Sequence, residues 1–369
     1  MRNRSLMVVP RLLMVGLMLA MAAGLATRPA TSAAAQEEEP LQIAFSVPGL
    51  NFPFFVHMMN EAQEAADAFD NVELIQLDGQ NSASKQTQDL EAMIVQGVDG
   101  IVISPADVNA LQPGIEAVVE AGIPVVTVDR NVTGVETLAH VGANNVRGGE
   151  IQGERVLELL PNGGSVFELR GQPGASPAID RDAGLKNVLN EQEAVEITFD
   201  QTANFARDEA VRVVEDGLTA NEPPDVIVAA NDDMALGAAE VVQNQGLDIP
   251  IIGFDALPEA LQAIEAGTLD STIEQFPGLQ AATALEILVD YIRNDITPEE
   301  HDTFLEPKLI TAENLGEAER AEEAGIEPTG TPAAGTPAAL AERLFTIGSA
   351  NGLRDHVFSY RVEAASLPR

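Results

Sequence analysis

Between residue 41 and about residue 311, short apolar runs of the kind that fill buried parallel strands alternate with longer stretches whose apolar residues recur every three or four positions. The first unit sets the pattern. Leu41 to Val47 reads as a strand, Phe55, Met59, Ala62, Ala66 and Phe69 then share one helix face, and Val72 to Leu77 supplies the next strand. Further strands are predicted at Gly100 to Ile103, Pro124 to Val128, Ser165 to Leu169, Ala194 to Phe199, Asp225 to Ala229, Pro250 to Phe254 and Leu269 to Ile273. Strands alternating with helices predict an α/β protein built on parallel sheets.

The pattern also repeats internally. Gly97-Val-Asp-Gly-Ile-Val-Ile-Ser-Pro-Ala-Asp107 lies beside Pro223-Pro-Asp-Val-Ile-Val-Ala-Ala-Asn-Asp-Asp233, each an apolar strand ending in a small polar cluster with Asp. Downstream, Gly122-Ile-Pro-Val-Val-Thr-Val-Asp129 matches Asp248-Ile-Pro-Ile-Ile-Gly-Phe-Asp255. Asp107 to Asp233 and Asp129 to Asp255 are both 126 positions apart, and two segments agreeing in register predict two equivalent lobes, each a Rossmann-like doubly wound sheet. A length of 369 residues suits two such lobes better than one core.

Composition narrows the function classes. The chain carries 20 Lys+Arg against 58 Asp+Glu, a formal charge of -38, which repels nucleic acid and anionic lipid. At the N-terminus Arg2, Arg4 and Arg11 precede the apolar run Leu12 to Ala26, and Ser32-Ala33-Ala34-Ala35 offers a cleavage site. Residues 1–35 therefore read as a secretory signal, and export to a periplasmic or other extracytoplasmic space is expected. The run is shorter than the ~20 apolar residues of a span. With no Cys there is neither a disulfide nor a thiol for a lipid anchor, so a protein that is soluble after cleavage near Ala35 is expected. Beyond Asn314, Glu317 to Glu323 reads as an acidic helical stretch, and Glu327 to Ala339 is a Pro/Thr/Ala-rich linker before an unassigned tail, so that residues 316–369 lie outside both lobes.

Ligands of open parallel sheets bind beyond the carboxyl ends of the strands, where the repeat puts Asp129 and Asp255, one per lobe. Carboxylates, amides and Arg forks are the groups that hydrogen-bond hydroxyls, so Asp129-Arg130, Asn231 and Asp255 form a candidate polyhydroxy site in a cleft between the lobes. Each has a structural reading when taken singly: an Asp129-Arg130 ion pair, Asn231 as a helix cap, Asp255 capping the helix after Pro258. Asn51-Phe-Pro-Phe-Phe55 stands at a loop-helix junction, where rings can stack on the apolar face of a sugar or can join the helix's core stripe. No phosphate loop, nucleophile elbow or H-E-x-x-H zinc pair occurs, and His57, His140, His301 and His356 lack a metal-ligand spacing. Neither an enzyme nor a cofactor or metal site is predicted; two cleft carboxylates acting as a glycosidase pair is the enzymatic alternative.

The stretches Asn51-Phe-Pro-Phe-Phe-Val56, Ile103-Ser-Pro-Ala-Asp107, Val128-Asp-Arg130, Asn231-Asp-Asp-Met-Ala-Leu-Gly237, Gly253-Phe-Asp255 and Thr272-Ile-Glu-Gln-Phe-Pro277, in this order, resemble the periplasmic sugar-binding proteins of the ribose-binding type, which deliver substrates to ABC importers. The resemblance runs from Leu41 to about Leu315. It implies a first lobe of residues 41–143 and 276–304, a second of 144–275 and 305–314, and a three-strand hinge. It further implies that Phe54, Phe55 and Phe205 enclose the sugar ring, while Asp129, Arg130, Arg181, Asn231, Asp255 and Gln275 bond its hydroxyls. At two ligand positions this chain departs from ribose binders, with Phe52 and Ser104 where they have Asn, so a different pentose, a hexose or a sugar alcohol fits as well as ribose. The expected partners are a sugar or polyol and a membrane permease, with the binding protein a monomer. An accessory of a chemoreceptor or sensor kinase shares these lobes, as do sugar-responsive transcription regulators; the signal segment and the negative charge argue against the latter.

Overall fold

The computed structural model describes residues 39–329. The expected signal segment and the tail from residue 330 onward lie outside the described residues. The first series of elements is β1 (Leu41–Val47), α1 (Pro53–Ala68), β2 (Val72–Asp78), α2 (Ala83–Gln96), β3 (Gly100–Ile103), α3 (Gln112–Glu120), β4 (Val125–Val128) and β5 (Ala139–Ala143). The second is α4 (Asn145–Leu159), β6 (Gly164–Arg170), α5 (Ser176–Leu189), β7 (Val195–Thr202), α6 (Arg207–Ala220), β8 (Val226–Ala229), α7 (Asp232–Asn244), β9 (Ile251–Ile252), α8 (Pro258–Glu265) and β10 (Ser271–Glu274). Helix α9 (Pro277–Asn294) and strands β11 (Asp302–Leu305) and β12 (Lys308–Thr311) follow.

One six-stranded sheet has the order β11-β5-β4-β3-β1-β2 and the other β12-β10-β9-β8-β6-β7. The two lobes thus share one doubly wound topology, as the 126-residue repeat predicts. Every strand pairing is parallel except β12 against β10. Helix α9 packs on β3, β4, β5 and α1, so it returns to the first lobe. The chain therefore passes between lobes three times, after β5, after β10 and between β11 and β12.

Burial explains the strand patterns. Strands β3, β4 and β8 are buried at every residue and read as unbroken apolar runs, because helices cover both sheet faces. The edge strands β2 and β7 are partly exposed, and their apolar residues alternate with polar ones. Helix α1 starts on Pro53, whose fixed φ and missing N–H suit a first helical position, and it buries Phe55, Met59, Ala62 and Ala66 on the face the spacing predicts. Phe69 falls just beyond, as the C-cap.

Several elements escape the sequence reading. Strands β5, β11 and β12 are short and contain His140, Asp302 and Lys308, so they carry no apolar run. Strand β9 is only two residues long because the chain turns after Gly253, with Asp255 at φ 109°. The acidic stretch 317–323 is not an α-helix: a 3-10 turn, Leu315–Glu317, leads into successive turns. The Glu319 N–H donates to Glu274 Oε2 instead of along its own segment, and Ala318, Ala321 and Ala324 are buried, so this stretch belongs to the folded body. Among the described residues no helix is long and apolar enough to cross a membrane.

Candidate functional site

Between the lobes lies a small cavity lined by Phe52, Phe54, Phe55, Asp129, Arg130, Pro177, Arg181, Phe205, Asn231, Asp255 and Gln275. The first lobe supplies the Phe residues from the β1–α1 junction and Asp129-Arg130 from the end of β4. The second supplies Pro177 and Arg181 from α5, Phe205 after β7, Asn231 after β8, Asp255 after β9 and Gln275 after β10. Ten of the residues singled out from the sequence thus meet in one place, at the carboxyl ends of the strands. Ser104 is the exception: it is fully buried behind the wall, where its hydroxyl donates to Asp129 Oδ2 over 3.3 Å. Pro177 has no motif of its own and was not legible.

The wall is held by strained backbone. Asp129 (φ 58°), Asn204 (φ 53°), Phe205 (φ 60°), Asp255 (φ 109°), Ala256 (φ 49°) and Phe276 (φ 59°) all lie in the region that favours glycine. For bulky residues this costs on the order of 1–3 kcal/mol each, and such residues cluster where side chains are aimed at ligands. Phe205 sits against Gly171, where an added Cβ would fall 2.2 Å from its ring. Helices α4 and α5 meet through Gly149 and Gly184, whose Cβ atoms would lie 2.2 and 2.0 Å from the carbonyl oxygens of Arg181 and Val146. That close approach sets the position of Arg181.

Arg181 is anchored through two of its three nitrogens. Its Nε donates to Asn145 Oδ1 (2.8 Å), Nη1 donates to the Ala230 carbonyl (2.7 Å) and reaches Asp255 Oδ1 (3.5 Å), and the guanidinium lies 3.5 Å from the Phe254 ring centre. Asp255 Oδ1 also accepts from Gln275 Nε2 at 2.6 Å. In the other lobe Arg130 Nη1 donates to the Ala106 carbonyl, and its guanidinium stands 5.3 Å from the Phe55 ring and 5.7 Å from Phe205. Asp129 and Arg130 approach only to 3.9 Å, too far for a hydrogen-bonded pair. Asn231 both caps α7, accepting from Met234 N at 3.0 Å, and lines the cavity. Asp255 caps nothing; Asp232 instead accepts from Leu257 N at the start of α8.

Two features ready this wall for hydroxyl groups. Gln275 Oε1 is a buried acceptor with no hydrogen-bond partner among the described residues, a state that buried polar atoms rarely keep. Burial pushes the Asp255 carboxyl up to about 7, helped by the Asp129 charge and opposed by Arg181 and Gln275. Burial also raises Asp129, against Arg130, Arg181 and Ser104, and lowers Arg130 to about 10, which leaves it a cation.

The cavity is shut by contacts that run from one lobe to the other. Arg130 Nη1 donates to Gln172 Oε1 (3.3 Å), Asn131 N to Ser176 Oγ (2.9 Å) and Val108 N to the Gly174 carbonyl (2.9 Å). Gly174 is required there, since an added Cβ would lie 2.0 Å from the Asp107 carboxylate. These lips carry no sequence motif. Phe52 and Phe205 also line an open groove on the outside, and so stand as the partition between cavity and solvent.

Residues 43–295 match the periplasmic binding protein domain. The chain is 37% identical over 252 residues to the ribose import binding protein of Bacillus subtilis, an alignment covering 68% of this chain and 81% of that protein. A crystal structure of a Caulobacter myo-inositol binding protein bound to myo-inositol is 42% identical, with a TM-score of 0.73 over 77% of this chain and 97% of that one. An ABC transporter solute binding protein of Bacillus halodurans with bound myo-inositol is 31% identical, with a TM-score of 0.72 over 76% of this chain and 98% of that one. With two lobes of one topology shut on a cavity at their strand ends, and with these likenesses over most of its length, the chain belongs to the periplasmic binding protein family, a family of non-catalytic solute-binding proteins.

Proposed function

We propose that this protein captures a small neutral polyhydroxylated ring outside the cytoplasm, with a cyclitol of the myo-inositol type as its first ligand, and that as a monomer it hands that ligand to the permease of an ABC importer. The observation that carries the reading is the charge balance of the cavity: two carboxylates, Asp129 and Asp255, stand with two guanidiniums, Arg130 and Arg181, one of each from either lobe. A neutral ligand leaves that balance undisturbed, whereas a charged one leaves a buried charge without a counterion.

Ionised carboxylates only accept and guanidiniums only donate, so a ligand that meets both on neighbouring atoms must present groups that do either, as adjacent hydroxyls do. The aromatic wall of Phe54, Phe55 and Phe205 suits the C–H face of a saturated ring. Phe52 adds apolar surface and Ser104 is turned away to Asp129, so neither supplies the amide that ribose binders place there. The likeness to two structures holding myo-inositol supports a six-membered cyclitol over a pentose. Ligand contacts from both lobes exist together only when the cleft is closed, so binding shifts the population toward the closed form.

The test is calorimetric titration of the full chain with myo-inositol, ribose, xylitol and, as a charged control, glutamate. The reading expects one-to-one binding that is tightest for myo-inositol and no heat with glutamate. Binding of glutamate alone, or of none of the polyols, would overturn it.

A further inference from the structure

The residues after β12 lie outside the family match, yet they run across the back of the hinge. Leu315, Ala318, Ala321 and Ala324 are buried there. The segment is tied to the second lobe by an ion pair of Glu317 with Lys308 of β12, by Gln262 of α8, which donates to the Ala324 carbonyl (3.1 Å), and by Glu319 N, which donates to Glu274 Oε2 (2.8 Å) at the last residue of β10. It meets the first lobe chiefly through the Glu319 carboxylate, with Glu323 beside it. Glu319 Oε1 accepts from Gly278 N at the start of α9 (2.8 Å) and lies 3.1 Å from His57 Nε2 of α1.

The approach is tight. A Cβ on Gly278 would lie 2.3 Å from Glu319 Oε1, so any larger residue there would displace the carboxylate from this position. His57 Nδ1 faces Glu323 at 3.4 Å and Glu61 at 3.9 Å. Between the two anchor points run Gln275 and Phe276, the latter in a left-handed conformation. Glu274 Oε1 accepts the N–H groups of both (2.8 and 2.7 Å), and Gln280 Nε2 of α9 donates back to the Gln275 carbonyl (2.7 Å). Gln275 is thereby held from behind while its side chain faces the cavity.

We propose that residues 315–326 form a clasp across the β10-to-α9 crossing, and that Glu319 and His57 are positioning residues whose contact holds Gln275 in place and favours the closed arrangement of the lobes. The inference rests on the ligand-binding reading only for what closure achieves; the clasp itself is a statement about the lobes without ligand. Opening the cleft rotates the start of α9 and α1 relative to β10, and a residue that holds β10 by its backbone N–H and α9 and α1 by its carboxylate resists that rotation. A fraction of apparent affinity then depends on a residue that never meets the ligand, because affinity scales with the population of the competent form.

The absence of native Cys permits a clean test. Val95→Cys in α2, 88% exposed, and Asp208→Cys in α6, with its side chain 78% exposed, place one spin label on each lobe. Double electron–electron resonance on the ligand-free full chain reads the distance between them. The clasp predicts that Glu319→Ala and His57→Ala each move the distribution toward the open distance, with Glu319→Gln, which keeps an acceptor for Gly278 N, intermediate. It also predicts that the Kd for myo-inositol rises about fivefold or more, through faster dissociation. His57→Asn serves should Glu319→Ala fail to give a cooperative melt. Distance distributions that superimpose on the parent would overturn the clasp whatever the ligand proves to be, while absence of any polyol binding with shifted distributions would overturn the ligand and leave the clasp standing.

Discussion

Asp129 and Asp255 occupy equivalent strand ends in the two lobes, and both adopt left-handed backbone angles, yet the lobes hold them differently. Asp129 rests on one weak partner, the Ser104 hydroxyl at 3.3 Å, beside a wall of phenylalanines. Asp255 receives the Gln275 amide at 2.6 Å and faces Arg181, which is itself bonded to Asn145 and the Ala230 carbonyl. Duplication of a fold fixes where an acid stands, and divergence of its neighbours decides what it does. The first lobe offers mainly a face for stacking, and the second a dense set of polar groups whose geometry is set before ligand arrives. On the proposed function, this asymmetry would orient a bound ring with its C–H face toward the phenylalanines and its hydroxyls toward Arg181, Asn231 and Gln275.

The largest effect expected from breaking the second lobe's network is that of Arg181→Met. It leaves Asp255 buried without its cation, a loss that typically costs about 3–5 kcal/mol, visible as a lowered melting temperature as well as lost binding. Arg130→Met, in the less connected lobe, should cost affinity with a smaller fall in stability. Equal falls in melting temperature for the two variants would mean that the asymmetry has no energetic content.

A change of pH sharpens the contrast in a second way. Asp255 sits at about 7, and its ionised form is the better acceptor, so the Kd of a neutral polyol should rise about fivefold to tenfold from pH 8 to pH 6 and lose that dependence in Asp255→Asn. Ligand-free stability should run the opposite way. Burial raises Glu168 and Glu274 to about 8 and Asp255 to about 7, above their unfolded values, so their stabilising contribution is complete at low pH and is lost as pH rises through 7 to 8. Thermal melts should therefore show higher stability at pH 6.5 than at pH 8.5. His140, which burial holds down near 4, works against the fold only below about pH 6.5. A ligand-free melting temperature that climbs from pH 6.5 to 8.5 would contradict this.

The smallest effect belongs to Ser104. Its hydroxyl acts only through Asp129, so Ser104→Ala should weaken binding by about 1 kcal/mol or less, and by nothing once Asp129 is Ala. A full effect persisting in the double variant would place Ser104 in direct contact with ligand.

What the sequence made legible follows from the same physics. Buried strands such as β3 and β8 announce themselves as apolar runs, and the matched Asp129 and Asp255 announce the two halves of the cleft, because both features repeat at a fixed offset. The side chains drawn in by family resemblance, Arg181 and Phe205, reach the cavity through packing that no local pattern encodes: the Gly149–Gly184 approach for one, and a left-handed turn over Gly171 for the other. Ser104 stands behind the wall for a related reason. Its position in the chain matches a ligand position, but a serine side chain is short, and in the wall it finds Asp129 before it finds the cavity. The 315–326 segment reads as an acidic helix because its alanines recur every three residues; the buried Glu274 carboxylate, invisible at that distance in the chain, takes the Glu319 N–H and sets the turns instead.

The central claim is that one neutral ring is gripped by an acid from each lobe, and calorimetric titration of myo-inositol into the full chain beside Asp129→Ala and Asp255→Ala tests it most directly. The account predicts one-to-one binding to the parent and a loss of about 2–4 kcal/mol in each variant, larger for Asp255→Ala, since each substitution leaves ligand hydroxyls without their protein partner. Affinity unchanged in either variant would contradict a site shared between the lobes.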